Sequence, residues 1–511
     1  MQQMLSRRQL LGGMAAGSAI GLAGCAGSGV DESDAYTIVP YLDPTGDRGW
    51  ENWSGMTPYW TRVVEPLVWG TEDMQPKPWL ATDWEATDDT TWMFELREGV
   101  TFHNGKEMTA DDVVHSFEDD ILTEYGDFVY GWLHLEPGSV EKIDEYTVEF
   151  NNTDQFAGFP GTIAHNMIDI HPPEADPWNG NVIGTGPFTV EEIEDGQHVR
   201  VERFEDYWGG DVEPEALVFE AAEDVITRTN MLEGGDADII LNPAKNRVSS
   251  LRDDDSVQVK TQQSSGSNFV SINIYREPTD DTRLRRALNF AVSQEEIVSS
   301  VLEGIGIPAR GPVSTVVDWA VDDELPAYEQ DHDRARELVD QSTYNGQTLT
   351  MLVENDMDDG EWVTQIMQDN FEEIGVDVDI EILERAAKRD RTDRGEFHLD
   401  VGGSQSNSPA ADYIMWENFH SLGISNIDFY EDDGTGLHNL GGEVDELIET
   451  GFESREPERT QNAYIEAQRR IMEEGVVIPL FYQEYVVAMD DAPTGLDLHP
   501  IDRLIDWRTL E

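Results

Sequence analysis

The chain has 511 residues, with 33 Lys and Arg against 105 Asp and Glu, a formal net charge of −72, one cysteine and 14 tryptophans. A disulfide framework needs two cysteines and a cysteine-ligated metal site needs several, while nucleic acid is excluded as a partner because phosphate binding rests on Lys and Arg. Aliphatic and aromatic residues are nonetheless plentiful and patterned, unlike a disordered chain, and nothing beyond the N-terminal region approaches the ~20 apolar residues of a spanning helix.

The first element reads as an address. Ser6-Arg7-Arg8-Gln9-Leu10-Leu11 opens a basic region, a small-residue apolar stretch runs to Gly24, and Leu22-Ala23-Gly24-Cys25 closes it. The stretch is too short and Gly-rich to cross a bilayer, so a secretion signal is expected over residues 1–24. The pair Arg7 and Arg8 resembles a twin-arginine signal, and the four residues ending in Cys25 resemble a lipobox, which makes Cys25 the lipidation site. Residues 25–35 are then the lipid anchor and its tether. The expected location is the outer face of the cytoplasmic membrane, held there by lipid.

Thr90, Trp92, Phe94 and Leu96 alternate as a half-buried strand. Thr109-Ala110-Asp111-Asp112 approximates a capping box for a helix whose buried stripe is Val113, Val114, Phe117 and Ile121. A helix over Arg283–Ala291 is followed by one capped by Ser293 with Glu296 and stopped at Gly304. Leu349–Val353, the helix near Glu361–Ile374 and Val376–Ile382 read as a β-α-β unit, with Gly375 ending the helix. A long helix follows Pro457 and turns Tyr464, Ala467 and Ile471 inward; Val476–Phe481 and Tyr485–Met489 read as two short buried strands. The alternation of strands and helices predicts an α/β fold.

Acidic residues are spread along these elements rather than blocked together, as in Val376-Asp377-Val378-Asp379-Ile380-Glu381-Ile382, and lysine is almost absent. Dispersed carboxylates with few ammonium groups predict adaptation to molar salt, where cations screen the repulsion.

Catalytic signatures are not found: the sequence holds no GxSxG, HExxH or GxxxxGK[ST] motif, and its 11 histidines show no metal-ligand spacing. No cofactor and no metal are expected. Aromatics are the better candidates for a site, because loops carried on an α/β scaffold collect binding residues and flat rings hold solutes. Trp50, Trp53, Tyr59 and Trp60 lie in a Gly- and Pro-containing segment; Asn407, Asp412 and Trp416 lie in or just after the Gly/Ser/Asn-rich stretch 402–408; Trp319 follows Gly311-Pro312.

Several stretches together resemble the solute-binding proteins of peptide/nickel-type ABC importers, known as family 5. These are Glu65-Pro66-Leu67-Val68; the block from Pro78 through Trp84 and Trp92 to Lys106, followed by Thr109–Val113; Gly184-Thr185-Gly186-Pro187-Phe188; Tyr207-Trp208-Gly209-Gly210; Arg286–Ala291; and Ile478-Pro479-Leu480-Phe481. The resemblance implies a two-lobed periplasmic-binding-protein-like fold, type II and of the large class with an extra subdomain, with a hinge between the lobes. On this division, residues 36–268 form lobe I with an inserted subdomain at about 55–175, residues 269–482 form lobe II, and 483–511 return to lobe I. Crossings are expected near Gln263–Phe269 and Phe481–Val487. It also implies a monomeric receptor, not an enzyme, that encloses a peptide and presents it to an ABC permease driven by a cytoplasmic ATPase. Peptide-binding members commonly carry a Trp and an Asp in the loop corresponding to Gly402–Asp412, where this chain is neutral until Asp412; that departure leaves an oligosaccharide as the alternative ligand. A reading of another class is a surface-anchored glycoside hydrolase with a carboxylate pair and Trp50, Trp53 and Trp60 as its sugar platform. A metal-ion receptor is a third, and requires histidines to meet in the cleft.

Overall fold

A computed structural model describes residues 35–46, 61–124, 132–165, 168–176, 180–355, 357, 359–410, 412–423, 440–491 and 493–511. Its backbone is one 11-stranded mixed sheet that runs through two lobes, with a smaller third body built on a four-stranded antiparallel sheet. In the first lobe the strand Ala35–Val39 lies parallel to both Ala216–Glu220 and Ile239–Leu241. In the second, Leu349–Glu354 lies parallel to Val378–Leu383 and Leu399–Ser404.

Two long antiparallel strands, Val257–Ile272 and Val477–Asp490, belong to both lobes. Their ends are buried in different cores. Val487 and Met489 pack with Ile38, Phe219, Ile239 and Trp507, whereas Ile478, Leu480 and Val270 pack with Leu288, Val353 and Phe371. Between the two cores the ladder shifts register, once between Gln263 and Ser267 and again between Asn268 and Phe269. Bulges of this kind bend a strand pair and increase its twist. The sequence suggests two short strands at this end of the chain, whereas the structure has one of 14 residues. The polar Gln483-Glu484 reads as a break because it lies at the crossing between the cores, where Glu484 pairs with Gln263 and Gln483 falls within the register shift.

The third body contains Ala81–Ala86, Thr91–Leu96, Thr147–Asn151 and Val140–Asp144. Phe94, Phe117, Phe150 and Phe159 fill its core together with Ile448, Tyr464 and Ile471 from the helices Gly442–Glu453 and Pro457–Glu474. The capping box at Thr109 is present, with the Thr109 amide donating to Asp112 Oδ2 at 3.0 Å. The helix it starts does not stay α: from His115 to Ile121 it widens into a π-helix while Val113, Phe117 and Ile121 remain buried. Ser293 accepts from the Glu296 amide at 3.1 Å, and Gly375 takes the left-handed conformation that ends the helix Gly360–Glu373. The strand Val378–Leu383 lies at the edge of the sheet, where its charged positions oppose pairing with another chain.

Three family-type motifs converge on one buried carboxylate. Glu65 is fully buried, and its Oε1 accepts from Trp79 Nε1 at 2.9 Å and Tyr207 OH at 2.7 Å. Its Oε2 accepts from Trp208 Nε1 at 2.9 Å and Thr185 Oγ1 at 3.0 Å. Burial pushes this carboxyl above its usual range, while Arg62 and the Tyr207, Trp208 and Trp79 donors pull it back. Glycine is required nearby, since a Cβ on Gly184 would come within 2.1 Å of the Val63 carbonyl oxygen.

Candidate functional site

A cleft of about 1190 Å³ lies between the two lobes, at the crossing of the long strands. From the first lobe it is lined by Tyr41, by Asp224 and Val225 where the helix Val225–Gly234 begins, and by Asn242 and Lys245 where the helix Lys245–Arg252 begins. From the second come Glu303, Asp359, Trp362, Arg385 and Gln405, and from the crossing itself Asn268, Phe481, Gln483 and Glu484. The helix Gly360–Glu373 also starts here, so three helix N-termini face this region with their partial positive charge.

Most of the polar groups are held in place by the fold. Asn242 occupies the left-handed region and its Oδ1 accepts from the Val486 amide at 3.1 Å. Gln483 Nε2 donates to Asn268 Oδ1 at 2.7 Å, and Glu484 Oε2 accepts from the Gly306 amide at 2.7 Å. Tyr41 OH donates to Asp502 Oδ2 at 2.7 Å. Arg228 has a structural role, donating to the carbonyls of Leu241, Ala222, Glu223 and Asn242. An ion pair spans the gap: Lys245 Nζ, on the first lobe, lies 2.5 Å from Asp359 Oδ2 on the second. Asp359 has a left-handed backbone and does not cap its own helix, so its carboxylate is available for this pair. Trp362 is the exception among the aromatics, because it lines the cleft yet is 67% exposed.

The arrangement can bind a solute from two sides, offering amide donors and acceptors, charges of both signs and an open indole face. Four residues singled out from sequence, Trp319, Asn407, Asp412 and Trp416, lie elsewhere. Trp319 is buried with its ring 4.5 Å from that of Tyr464. Asp412 is buried, accepts from Tyr464 OH at 2.6 Å and abuts Gly158, and burial pushes its carboxyl up. Trp416 stacks on His420 at 3.9 Å and leans on Phe452 and His134. Asn407 is buried, and none of these four lines the cleft. Trp50, Trp53, Tyr59 and Trp60 lie outside the described residues, as do Arg7, Arg8 and Cys25.

The cleft residues that sequence reasoning missed come from many separate segments. Trp362 did carry a signal: it precedes Val363 and falls off the buried stripe Val363, Met367 and Phe371, where an amphipathic helix ordinarily has a polar residue.

Next to Trp416, the half-buried Glu417 has its carboxyl pushed up to about 7 from 4.5, with loss of solvation as the cause. A raised folded pKa means that the stabilising contribution is complete below about pH 4.5 and lost as pH rises through 7. Glu417→Gln, which keeps the neutral form, is therefore expected to gain about 2–3 kcal/mol over the parent between about pH 5 and pH 8. Urea midpoints at the two pH values check this, and equal midpoint differences would contradict it.

The profile described as bacterial extracellular solute-binding proteins, family 5 Middle, matches residues 75–426. Among curated proteins the chain is similar to heme-binding protein A of Haemophilus influenzae, at 27% identity over 459 residues, covering 82% of this chain and 81% of that one. It is also similar to a probable D,D-dipeptide-binding periplasmic protein of Escherichia coli, at 25% identity and 90% of each chain. Among solved structures, a putative peptide binding protein from Clostridium difficile superposes with a TM-score of 0.81 at 20% identity, over 93% of this chain and 100% of that one.

Proposed function

Because the chain belongs to the family 5 extracellular solute-binding proteins, we propose that it captures a short peptide between its lobes and delivers it to the permease of an ABC importer. Family membership makes it a binding receptor and not an enzyme, which sets the glycoside hydrolase aside. The observation that carries the peptide reading is the cleft itself, where Glu303, Glu484 and Asp502 lie in one cavity with Lys245, Arg385 and three helix N-termini. A peptide brings an ammonium and a carboxylate separated by a backbone that hydrogen-bonds to amides such as Asn268, Gln405 and Gln483, so it can use both the charges and the amides of this cleft. The cavity exceeds the ~300–1,000 Å³ of ordinary small-molecule sites, which suits a ligand longer than a single amino acid. The dipeptide and peptide names of two of the similar proteins support the same choice.

In this reading residues 36–268 and 483–511 form one lobe, with a subdomain at about 55–175, and residues 269–482 form the other, except that the helices Gly442–Glu453 and Pro457–Glu474 pack into the subdomain's core. A ligand touching both lobes stabilises the closed form by its differential affinity for it, adding to what the Lys245–Asp359 pair contributes. Cys25, lipidated after twin-arginine export through Arg7 and Arg8, tethers the receptor, as a monomer, to the outer face of the membrane. The test is native mass spectrometry of protein purified in molar KCl, followed by thermal shifts with peptide and oligosaccharide pools. Peptides are expected to be retained intact and to raise the melting temperature. Stabilisation by sugars alone, or by no solute in either pool, would overturn the reading.

A further inference from the structure

We propose a second binding site, separate from the cleft, in which His115, Asp120 and His171 hold a divalent transition-metal ion. On an α-helix, residues five apart point about 140° away from each other, so the spacing of His115 and Asp120 gives no pair. The helix is in its π-form from His115 to Ile121, and i→i+5 bonding brings the fifth residue back over the first. As a result His115 Nε2 lies 3.4 Å from Asp120 Oδ2. π-turns of this kind concentrate at functional sites.

The third donor comes from a distant part of the chain and is fixed by the same helix. Ser116 Oγ donates to the Asp112 carbonyl at 2.9 Å and accepts from the His171 amide at 3.0 Å, which seats His171 beside the π-turn. His171 Nε2 then lies 2.6 Å from Asp120 Oδ2, and the two imidazole centroids are 5.8 Å apart. One donor atom from each of the three residues falls within 4.8 Å of the others. None of the three lines the cleft.

His115 has the outer contact typical of a metal ligand. Asp119 Oδ2 lies 2.8 Å from His115 Nδ1. An ionised carboxylate only accepts, so Nδ1 carries the proton and Nε2 presents its lone pair toward Asp120. A carboxylate that orients a histidine in this way recurs behind metal-bound imidazoles. Two imidazoles and one carboxylate suit Zn²⁺, Co²⁺ or Ni²⁺ and leave a position open to water, whereas K⁺, Na⁺ and Mg²⁺ prefer all-oxygen sites. Selectivity of this kind matters for a chain with 105 carboxylates, since imidazole is what separates this site from the acidic surface.

The experiment uses the full chain, stripped with EDTA and kept in molar KCl, with Co²⁺ as the probe. One equivalent is expected to give visible absorption of a nitrogen-ligated ion and to raise the melting temperature by mass action. His115→Gln, at a partly exposed position, is expected to abolish the band while circular dichroism stays unchanged, and His171→Ala to do the same wherever it folds. Asp119→Asn is expected to weaken binding about ten- to hundredfold. His198→Ala, in the exposed group Glu192, Glu194 and His198, is expected to change nothing. No nitrogen-type band in the parent chain, or a band that persists in His115→Gln, would overturn the proposal and leave Asp120 as a hydrogen-bond partner of two histidines.

Discussion

Glu65→Ala is expected to lower the free energy of unfolding by about 4 kcal/mol, the size seen when one partner of a buried charged network is removed. The carboxylate satisfies Trp79, Thr185, Tyr207 and Trp208, and its removal leaves four buried or half-buried donors without this acceptor. Arg62 adds to the cost. Its guanidinium is buried 3.9 Å over the Trp69 ring, and among the described residues none of its nitrogens makes a hydrogen bond, so Glu65 is one of the few anions that balance it. Glu65→Gln keeps one acceptor and turns the other toward donors as an NH₂ group, so a loss about half as large is expected. Urea denaturation in molar KCl measures both. An alanine variant within about 1 kcal/mol of the parent would show that water fills the site at little cost.

Trp362→Ala is expected to weaken peptide binding by about 2 kcal/mol, roughly thirtyfold, while the ligand-free melting temperature stays where it was. At 67% exposure the indole contributes little to the empty fold, yet it offers a large apolar face to whatever occupies the cleft it lines. Trp416→Ala is the matching control with the opposite signature. Stacked between His420 and Phe452, it is expected to cost about 3 kcal/mol of stability and leave affinity unchanged. Titration calorimetry and melting curves on the two variants separate the roles; unchanged affinity in Trp362→Ala would remove the indole from the site.

Elements whose hydrophobic period and caps agree were readable from the chain alone. Thr91–Leu96 alternates, Thr109 and Asp112 cap each other, and Pro457 starts a helix that buries Tyr464, Ala467 and Ile471. The π-turn at His115 was not readable, because it keeps Phe117 and Ile121 inward as an α-helix would and differs only in which polar side chains meet. The cleft was hidden for another reason. Asn242, Lys245, Asp359, Gln405 and Gln483 are unremarkable in their own segments, and only the sheet topology brings them to one cavity. Trp319 and Asp412 show the converse. An aromatic or an acid after a polar loop looks the same in sequence whether it faces ligand or packs against Tyr464.

The strand Ala35–Val39 waits for partners made much later, Ala216–Glu220 and Ile239–Leu241, and among the described strands Val477–Asp490 is the one that links Ile239–Leu241 to Val257–Ile272. Synthesis must therefore pass Asp490 before either half can complete its hydrogen-bonded ladder. A chain stopped ahead of Val477 would lack a strand of both halves at once, so neither half of the sheet is complete without this one segment.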